Sequence, residues 1–183
     1  INGKSLMYIE ELHLDYDEKI KIIFEIILTI SYLHNNGFVY RDLKPNNIII
    51  DNNKNAVLID FDRMVLNDEI NDEKQRTIDF NSIFAAPEIN YGEVIFENDI
   101  YSIGQIIYFI INEKSPSHSK KTKIFEKNIE FRQIYYRCTS ENIKNRPSIS
   151  QLIEIFLNSF NCKNKIPIGY EKMINYLVYY IKH

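Results

Sequence analysis

An amphipathic segment near the start of the chain and an almost uniformly apolar segment near its middle dominate the sequence. In residues 15–34, isoleucine, phenylalanine and leucine recur every three or four positions, which is the spacing of one buried helix face. Residues 100–111 are apolar on nearly every side, a pattern typical of a helix surrounded by core. The chain is therefore predicted to fold around packed helices.

Short runs of β-prone residues separate some of the helical segments. Residues 48–50 and 56–59 flank a polar turn and predict a hairpin. Residues 62–81 are polar and lack a period, which predicts an exposed loop. The expected fold class is mainly α with short β-hairpins. Further helices are predicted over residues 131–138, over residues 149–160 with Ser148 as the cap, and over residues 170–183.

The composition excludes several classes of function. The chain has 183 residues, of which 45% are apolar, enough for one domain with a real core. Its net charge of −3 argues against a nucleic-acid partner, and no segment approaches the ~20 apolar residues of a membrane span. Two cysteines cannot build a disulfide framework, and the first residues lack the pattern of an export signal. A cytoplasmic location is therefore predicted.

The segment that points to chemistry is Tyr40-Arg41-Asp42-Leu43-Lys44-Pro45-Asn46-Asn47, a polar loop between a predicted helix and the predicted hairpin. Asp60 follows at the end of that hairpin. Two carboxylates, an amide and an ammonium group are thus expected close together at one site. Reactions on phosphate need a carboxylate that accepts a hydroxyl proton, an acid and an amide that hold Mg²⁺, and a cation that offsets phosphoryl charge.

This loop resembles the catalytic loop of eukaryotic protein kinases, whose pattern is H-R-D-L-x-x-x-x-N. The resemblance is closest to the serine/threonine and tyrosine-kinase-like branches. It implies that residues 1–160 form the C-terminal lobe of a kinase domain, which is α+β when complete, and that residues 161–183 form a helical extension. Three further segments resemble motifs of that family in the family's order: Ala86-Pro87-Glu88, Asp99-Ile100-Tyr101-Ser102-Ile103-Gly104 and Asn145-Arg146-Pro147-Ser148.

The resemblance also implies roles for four polar side chains. Asp42 matches the base that accepts the proton of the substrate hydroxyl. Lys44 matches the lysine that neutralises the transferred phosphoryl group of the nucleotide, and its Lys-Pro context is typical of serine/threonine kinases. Asn47 and Asp60 match the residues that bind Mg²⁺, and the residue matched by Asp60 joins the metal to the phosphates of ATP.

Regulatory roles are implied for two residues. Arg41 resembles the arginine that pairs with a phosphorylated activation loop. Thr77 and Ser82 are the hydroxyls within reach in the loop that would be phosphorylated. Thr77 is the preferred of the two.

Structural roles are implied for three residues farther along the family's pattern. Glu88 and Arg146 match a buried ion pair that fixes the activation segment to the helical body. Asp99 matches an acid at the start of the central helix that accepts hydrogen bonds from the backbone of the catalytic loop.

The chain departs from the family's pattern at several positions. It has five glycines and no G-x-G-x-x-G, so the N-terminal lobe and the hinge are expected upstream in the same chain or absent. Tyr40 stands in place of the motif's histidine, and Asp62 stands in place of the glycine of D-F-G. Asn81 stands where serine/threonine kinases usually have threonine. The short interval 112–130 leaves little room for the family's substrate-docking helix.

The implied function of the complete kinase domain is Mg²⁺-dependent transfer of the γ-phosphoryl group of ATP to serine or threonine hydroxyls of a protein substrate. One alternative is a truncated kinase or pseudokinase lobe that acts as a non-catalytic scaffold, which the missing upstream half favours. Another is a small-molecule kinase of related fold, which the A-P-E and R-P segments disfavour. The intact Asp42, Lys44, Asn47 and Asp60 favour the enzyme.

Overall fold

The computed structural model describes residues 2–67, 82–92, 94–117 and 128–160, and this part of the chain is mainly helical. The helices are α1 (Ile9–Leu12), α2 (Tyr16–Asn35), α3 (Phe96–Asn112), α4 (Ile129–Cys138) and α5 (Ile149–Phe160). The strands are β1 (Gly3–Ser5), β2 (Phe38–Val39), β3 (Ile48–Asp51), β4 (Ala56–Leu58) and β5 (Val65–Leu66). None of the described helices is long and apolar enough to span a bilayer.

Helix α2 is defined by its N-terminal cap and by its apolar face. The Asp15 carboxylate accepts a hydrogen bond from the Glu18 amide at 2.8 Å, and the Glu18 carboxylate accepts one from the Asp15 amide at 2.9 Å. This reciprocal arrangement satisfies amides that the helix itself leaves unbonded. On the apolar face, Phe24 is buried and stacks on Phe156 of α5 with ring centroids 5.4 Å apart. The helix predicted over residues 15–34 is confirmed.

Helix α3 is buried over most of its length and packs against α2 and α4. It begins before the predicted segment 100–111, because the polar residues Glu97, Asn98 and Asp99 in its first turn interrupt the apolar pattern. The Asn98 side chain accepts the Ile95 amide at 2.8 Å and so caps this first turn. Gly104 lets α4 approach closely, since a Cβ atom at this position would lie 2.8 Å from both Cys138 Cβ and Thr139 Cγ2.

Replacing Gly104 with alanine is expected to destabilise the fold by about 1–3 kcal/mol, the usual cost of overpacking a core. The gain in helix propensity from alanine, about 1 kcal/mol, is smaller than a clash with a neighbouring helix that cannot move freely. Denaturant unfolding would measure the change. A matched control is Gln133→Ala on the exposed face of α4, which should change stability by less than about 0.5 kcal/mol. Equal stability of both variants would show that α4 shifts to accommodate the methyl group.

Two small antiparallel sheets flank the polar loop of the sequence. One has the order β1-β3-β4, and Ile48 of β3 pairs with Leu58 of β4, so the predicted hairpin is confirmed. The other joins β2 to β5 through the pair Val39 and Val65. Strand β5 lies within the predicted loop 62–81, so the prediction is wrong at that point. A strand of two residues is too short to show an alternation of apolar and polar residues, and it is stabilised by a partner that is distant in sequence.

The helices predicted after α3 are confirmed where the structure describes them. Helix α4 contains the predicted residues 131–138, and α5 has the predicted bounds 149–160. Ser148 caps α5, since its hydroxyl oxygen accepts the Gln151 amide at 3.3 Å. The predicted helix over residues 170–183, and with it the extension 161–183, lies outside the described residues.

Candidate active site

One buried carboxylate anchors the start of the polar loop. Asp99, in the first turn of α3, accepts the backbone amides of Tyr40 and Arg41, each at 2.8 Å. The Nε2 atom of His34, at the end of α2, lies 2.9 Å from the same carboxylate. These three contacts compensate for the complete burial of Asp99. They fix the loop to two helices of the core, directly before Asp42.

The Asp42 carboxylate is surrounded by nitrogen donors. Lys44 Nζ lies 3.0 Å from Oδ1 and 2.8 Å from Oδ2. Asn47 Nδ2 donates to Oδ2 and to the Asp42 backbone carbonyl, each at 2.9 Å. Arg63 Nη1 approaches Oδ1 at 3.6 Å. Because the carboxylate is only 6% exposed, these contacts offset the cost of its burial and hold it in one orientation.

Tyr40 connects this loop to the segment that carries Asp60. Its hydroxyl donates to the backbone carbonyl of Ile59, and its ring meets the ring of Phe61 edge-on with centroids 5.5 Å apart. The Ile59 amide donates to the backbone carbonyl of Asn47 at 2.9 Å. The residues on both sides of Asp60 are therefore tied to the loop by hydrogen bonds and ring packing.

The pKa of the Tyr40 phenol is affected by the carboxylates of both Asp42 and Asp60. Burial raises the pKa of the Tyr40 phenol most strongly, and the negative charges of Asp42 and Asp60 raise the pKa further. Both acids therefore act on one hydroxyl group. Their surroundings differ, since Asp42 is buried and Asp60 is exposed.

Asn47 and Asp60 provide the kind of oxygen atoms that a hard divalent cation prefers. Asn47 uses its Nδ2 group in the bonds to Asp42, so its amide oxygen is the atom suited to bind metal. Among the described residues, no group of three or more His, Cys, Asp or Glu side chains forms a metal site. Mg²⁺ is usually held by one or two protein side chains together with waters and substrate phosphates. The pair therefore fits Mg²⁺ that binds together with a nucleotide.

Two guanidinium groups lie near the same loop. Arg41 is buried, and its backbone has a φ of 71°, in the left-handed region that is unfavourable for residues other than glycine. Burial lowers the pKa of Arg41, and the positive charge of Arg63 lowers the pKa further. Asp60 also has a positive φ, of 64°. Strained backbone thus occurs at both segments that carry the two acids, as is common at functional sites.

A buried ion pair fixes the segment after residue 82 to the helices. The Arg146 guanidinium contacts both carboxylate oxygens of Glu88, with Nη2 at 3.0 Å from Oε2. Arg146 also donates to the carbonyls of Ser140 at 3.0 Å and Glu97 at 3.1 Å, and Asn98 donates to Glu88 at 2.7 Å. The pair therefore ties the turn that contains Glu88 to α3 and to the start of α5.

Several residues differ from what the sequence indicates. His34, at the end of α2, is buried against Asp99, and no motif in the sequence marks this contact. Arg63 contacts Asp42, and no motif in the sequence marks it. Asp62 does not adopt a positive φ, so the replacement of glycine at this position adds no backbone strain. Thr77 and Asn81 lie outside the described residues.

The sequence matches the protein kinase domain family over residues 1–166. The chain therefore belongs to the eukaryotic protein kinase domain family.

Among individual proteins, the chain is similar to one from Acanthamoeba polyphaga mimivirus named as a serine/threonine-protein kinase, with 32% identity over 73% of this chain and 54% of the relative. It is also similar to a KIN1 homolog of Enterocytozoon bieneusi, with 28% identity over 96% of this chain and 30% of the relative. A Dictyostelium discoideum protein named as a serine/threonine-protein kinase shares 32% identity over 87% of this chain and 11% of that relative. The chain thus spans about half of the viral relative and smaller parts of the others.

Proposed function

We propose that the complete protein containing this chain transfers the γ-phosphoryl group of ATP to serine or threonine hydroxyls of protein substrates, in a Mg²⁺-dependent reaction. The observation that carries this proposal is the Asp42 carboxylate with Lys44 and Asn47 on its oxygens and Asp60 on the neighbouring segment. The serine/threonine kinase names of the relatives support the same reaction.

Asp42 is the group suited to orient the acceptor hydroxyl and take its proton. Its carboxylate is fixed by hydrogen bonds, so little reorganisation is needed when a hydroxyl approaches. Lys44 keeps a positive charge within 3.0 Å of this carboxylate, where it can also offset charge on the transferred group. Asn47 and Asp60 are the residues that would hold Mg²⁺, which supplies charge neutralisation at the nucleotide phosphates.

We also propose that residues 1–160 are the C-terminal lobe of the kinase domain and that residues 161–183 are a helical extension. An upstream N-terminal lobe of the same chain would then supply the glycine-rich loop and the strand lysine that hold ATP. The described residues support this assignment, because the loop that carries Asp42, Lys44 and Asn47 is fixed to helices α2 and α3 by Asp99 and His34. Arg41 and Thr77 remain proposed regulatory residues, and a cytoplasmic location remains a prediction.

The metal-binding part of the proposal predicts a specific defect. In the complete protein, Asp60→Asn is expected to weaken Mg²⁺-dependent binding of a non-hydrolysable ATP analogue by at least about tenfold, because a charged oxygen ligand is lost. Isothermal titration with the analogue, with and without Mg²⁺, measures this difference.

The matched control is Glu154→Gln, which removes an exposed carboxylate on α5 and should leave the affinity unchanged. If Asp60→Asn binds the magnesium-loaded analogue as well as the natural protein does, then Asp60 is not a metal ligand. In that case the proposed arrangement of the two acids is wrong.

A further inference from the structure

Asp62 is the acid that stands in place of the glycine of D-F-G, and the backbone on both sides of it is fixed. Phe61 packs edge-on against Tyr40, with ring centroids 5.5 Å apart. The Met64 amide donates to the Phe61 carbonyl at 3.0 Å, which closes a tight turn around residues 62 and 63. Asp62 is therefore held two residues from Asp60, which corresponds to at most about 7 Å of backbone.

Asp60 itself is tied to the other proposed metal ligand, Asn47. The Ile59 amide donates to the Asn47 carbonyl at 2.9 Å, so the residue directly before Asp60 is bonded to Asn47. The Asn47 side chain is 5% exposed, and both of its hydrogen bonds to Asp42 use Nδ2. Within the described ranges its amide oxygen accepts no hydrogen bond. A mostly buried amide with an unused oxygen points to a cation as its partner.

Negative charge at the site is compensated at Asp42 and not at the other two acids. Lys44 lies within 3.0 Å of both Asp42 carboxylate oxygens, and Arg63 lies 3.6 Å from one of them. Asp60 and Asp62 are exposed, and in the part of the chain that the structure describes neither carboxylate has a hydrogen bond or an ion pair. One short segment of the site thus carries two negative charges that a divalent cation would neutralise.

A charge two residues from a metal ligand is close enough to change the affinity for the metal without touching it. At about 8 Å in water, the attraction between one negative charge and a divalent cation corresponds to about a fivefold change in affinity. Arg63 directly follows Asp62 in the chain, and its positive charge offsets part of this attraction. Salt at about 0.15 M screens charges over about 8 Å, which lowers the expected effect to about twofold.

We propose that Asp62 is an auxiliary acid of the metal site, which raises the affinity for the divalent cation through its charge and without coordinating the cation directly. This inference rests on the proposed function, since it assumes that Asn47 and Asp60 hold Mg²⁺ together with a nucleotide. It gives a role to the position at which this chain departs from the D-F-G pattern. A glycine at this position would leave the segment with one exposed acid fewer.

The test measures, in the complete protein, the concentration of free Mg²⁺ at which binding of a fluorescent, non-hydrolysable ATP analogue is half-maximal. Fluorescence anisotropy reports the binding, and release of ADP from ATP is measured separately. At low salt, Asp62→Asn is expected to raise this Mg²⁺ midpoint about three- to fivefold, because the amide keeps the size of the side chain and removes its charge. The difference should shrink to about twofold at about 0.15 M salt.

Two further variants separate the charge of Asp62 from its shape. Asp62→Glu keeps the charge and should keep most of the Mg²⁺ affinity, whereas Asp62→Gly has no charge and should behave like Asp62→Asn. The matched control is Glu154→Gln, which removes an exposed carboxylate of α5 and should leave the midpoint unchanged. Denaturant unfolding shows which variants are folded. If Asp62→Asn does not fold, the comparison of Asp62→Gly with Asp62→Glu decides.

The outcomes distinguish this role from the proposed function. Equal Mg²⁺ midpoints for the natural protein and folded Asp62→Asn at low salt would overturn the role of Asp62, even if Asp60→Asn is defective and the metal site is upheld. A loss above about tenfold that persists at high salt would also overturn it, because Asp62 would then be a direct ligand. Analogue binding that is independent of Mg²⁺ would overturn both proposals. A salt-sensitive loss in Asp62→Asn, without ADP release by the natural protein, would support the role of Asp62 and contradict the proposed phosphotransfer.

Discussion

Replacing Asp42 with asparagine in the complete protein is expected to lower kcat for peptide phosphorylation by about 100- to 10,000-fold, the range typical of losing a positioned general base. An amide cannot accept the hydroxyl proton. It keeps one oxygen for Lys44 and Asn47, which hold the natural carboxylate at 2.8–3.0 Å. The free energy of unfolding should therefore change by only about 1–2 kcal/mol.

The decisive comparison is between turnover and folding in the same preparation. Release of ADP gives kcat, and denaturant unfolding shows whether the variant is intact. The Glu154→Gln protein serves again as the carboxylate-to-amide control. Full activity of a folded Asp42→Asn variant would refute the role of Asp42 as base. If the natural protein shows no phosphotransfer but binds a partner protein that Asp42→Asn binds equally, the scaffold alternative is correct.

Local signals in the sequence were sufficient for the helices that carry the site. Helix α5 has a serine cap and a strong apolar face, so its start and its buried face follow from short-range rules. Helix α2 likewise begins at an Asp-x-x-Glu box. Strands β1 and β5 could not be predicted in this way. They are three and two residues long, and each depends on a partner distant in the chain.

The candidate site was predictable in its residue types and not in its supporting contacts. Asp42, Lys44 and Asn47 are close in sequence, so their association follows from one loop. The positive φ angles at Arg41 and Asp60 have no local signal, because neither residue is glycine. Arg63 reaches Asp42 only through the β2–β5 pairing, which is a tertiary feature. A single sequence does not encode such contacts in any short pattern.

Breaking the buried ion pair is expected to have the largest effect on stability. Arg146→Met should lower the free energy of unfolding by about 3–5 kcal/mol, because the Glu88 carboxylate would stay buried without its cation. The bond from Asn98 at 2.7 Å would compensate only partly. The carbonyls of Ser140 and Glu97 would also lose their donor. Denaturant unfolding of the single variant measures this loss.

Two comparisons test whether burial, and not the pairing itself, causes the loss. Lys4 and Glu11 are 2.7 Å apart, but their side chains are 47% and 60% exposed, so Lys4→Met should cost less than about 1 kcal/mol. The double variant Glu88→Leu with Arg146→Met removes both charges and should be more stable than Arg146→Met alone. If the double variant is as unstable as the sum of its single changes, the cost arises from lost packing and backbone bonds. The ion pair would then contribute little beyond its hydrogen bonds.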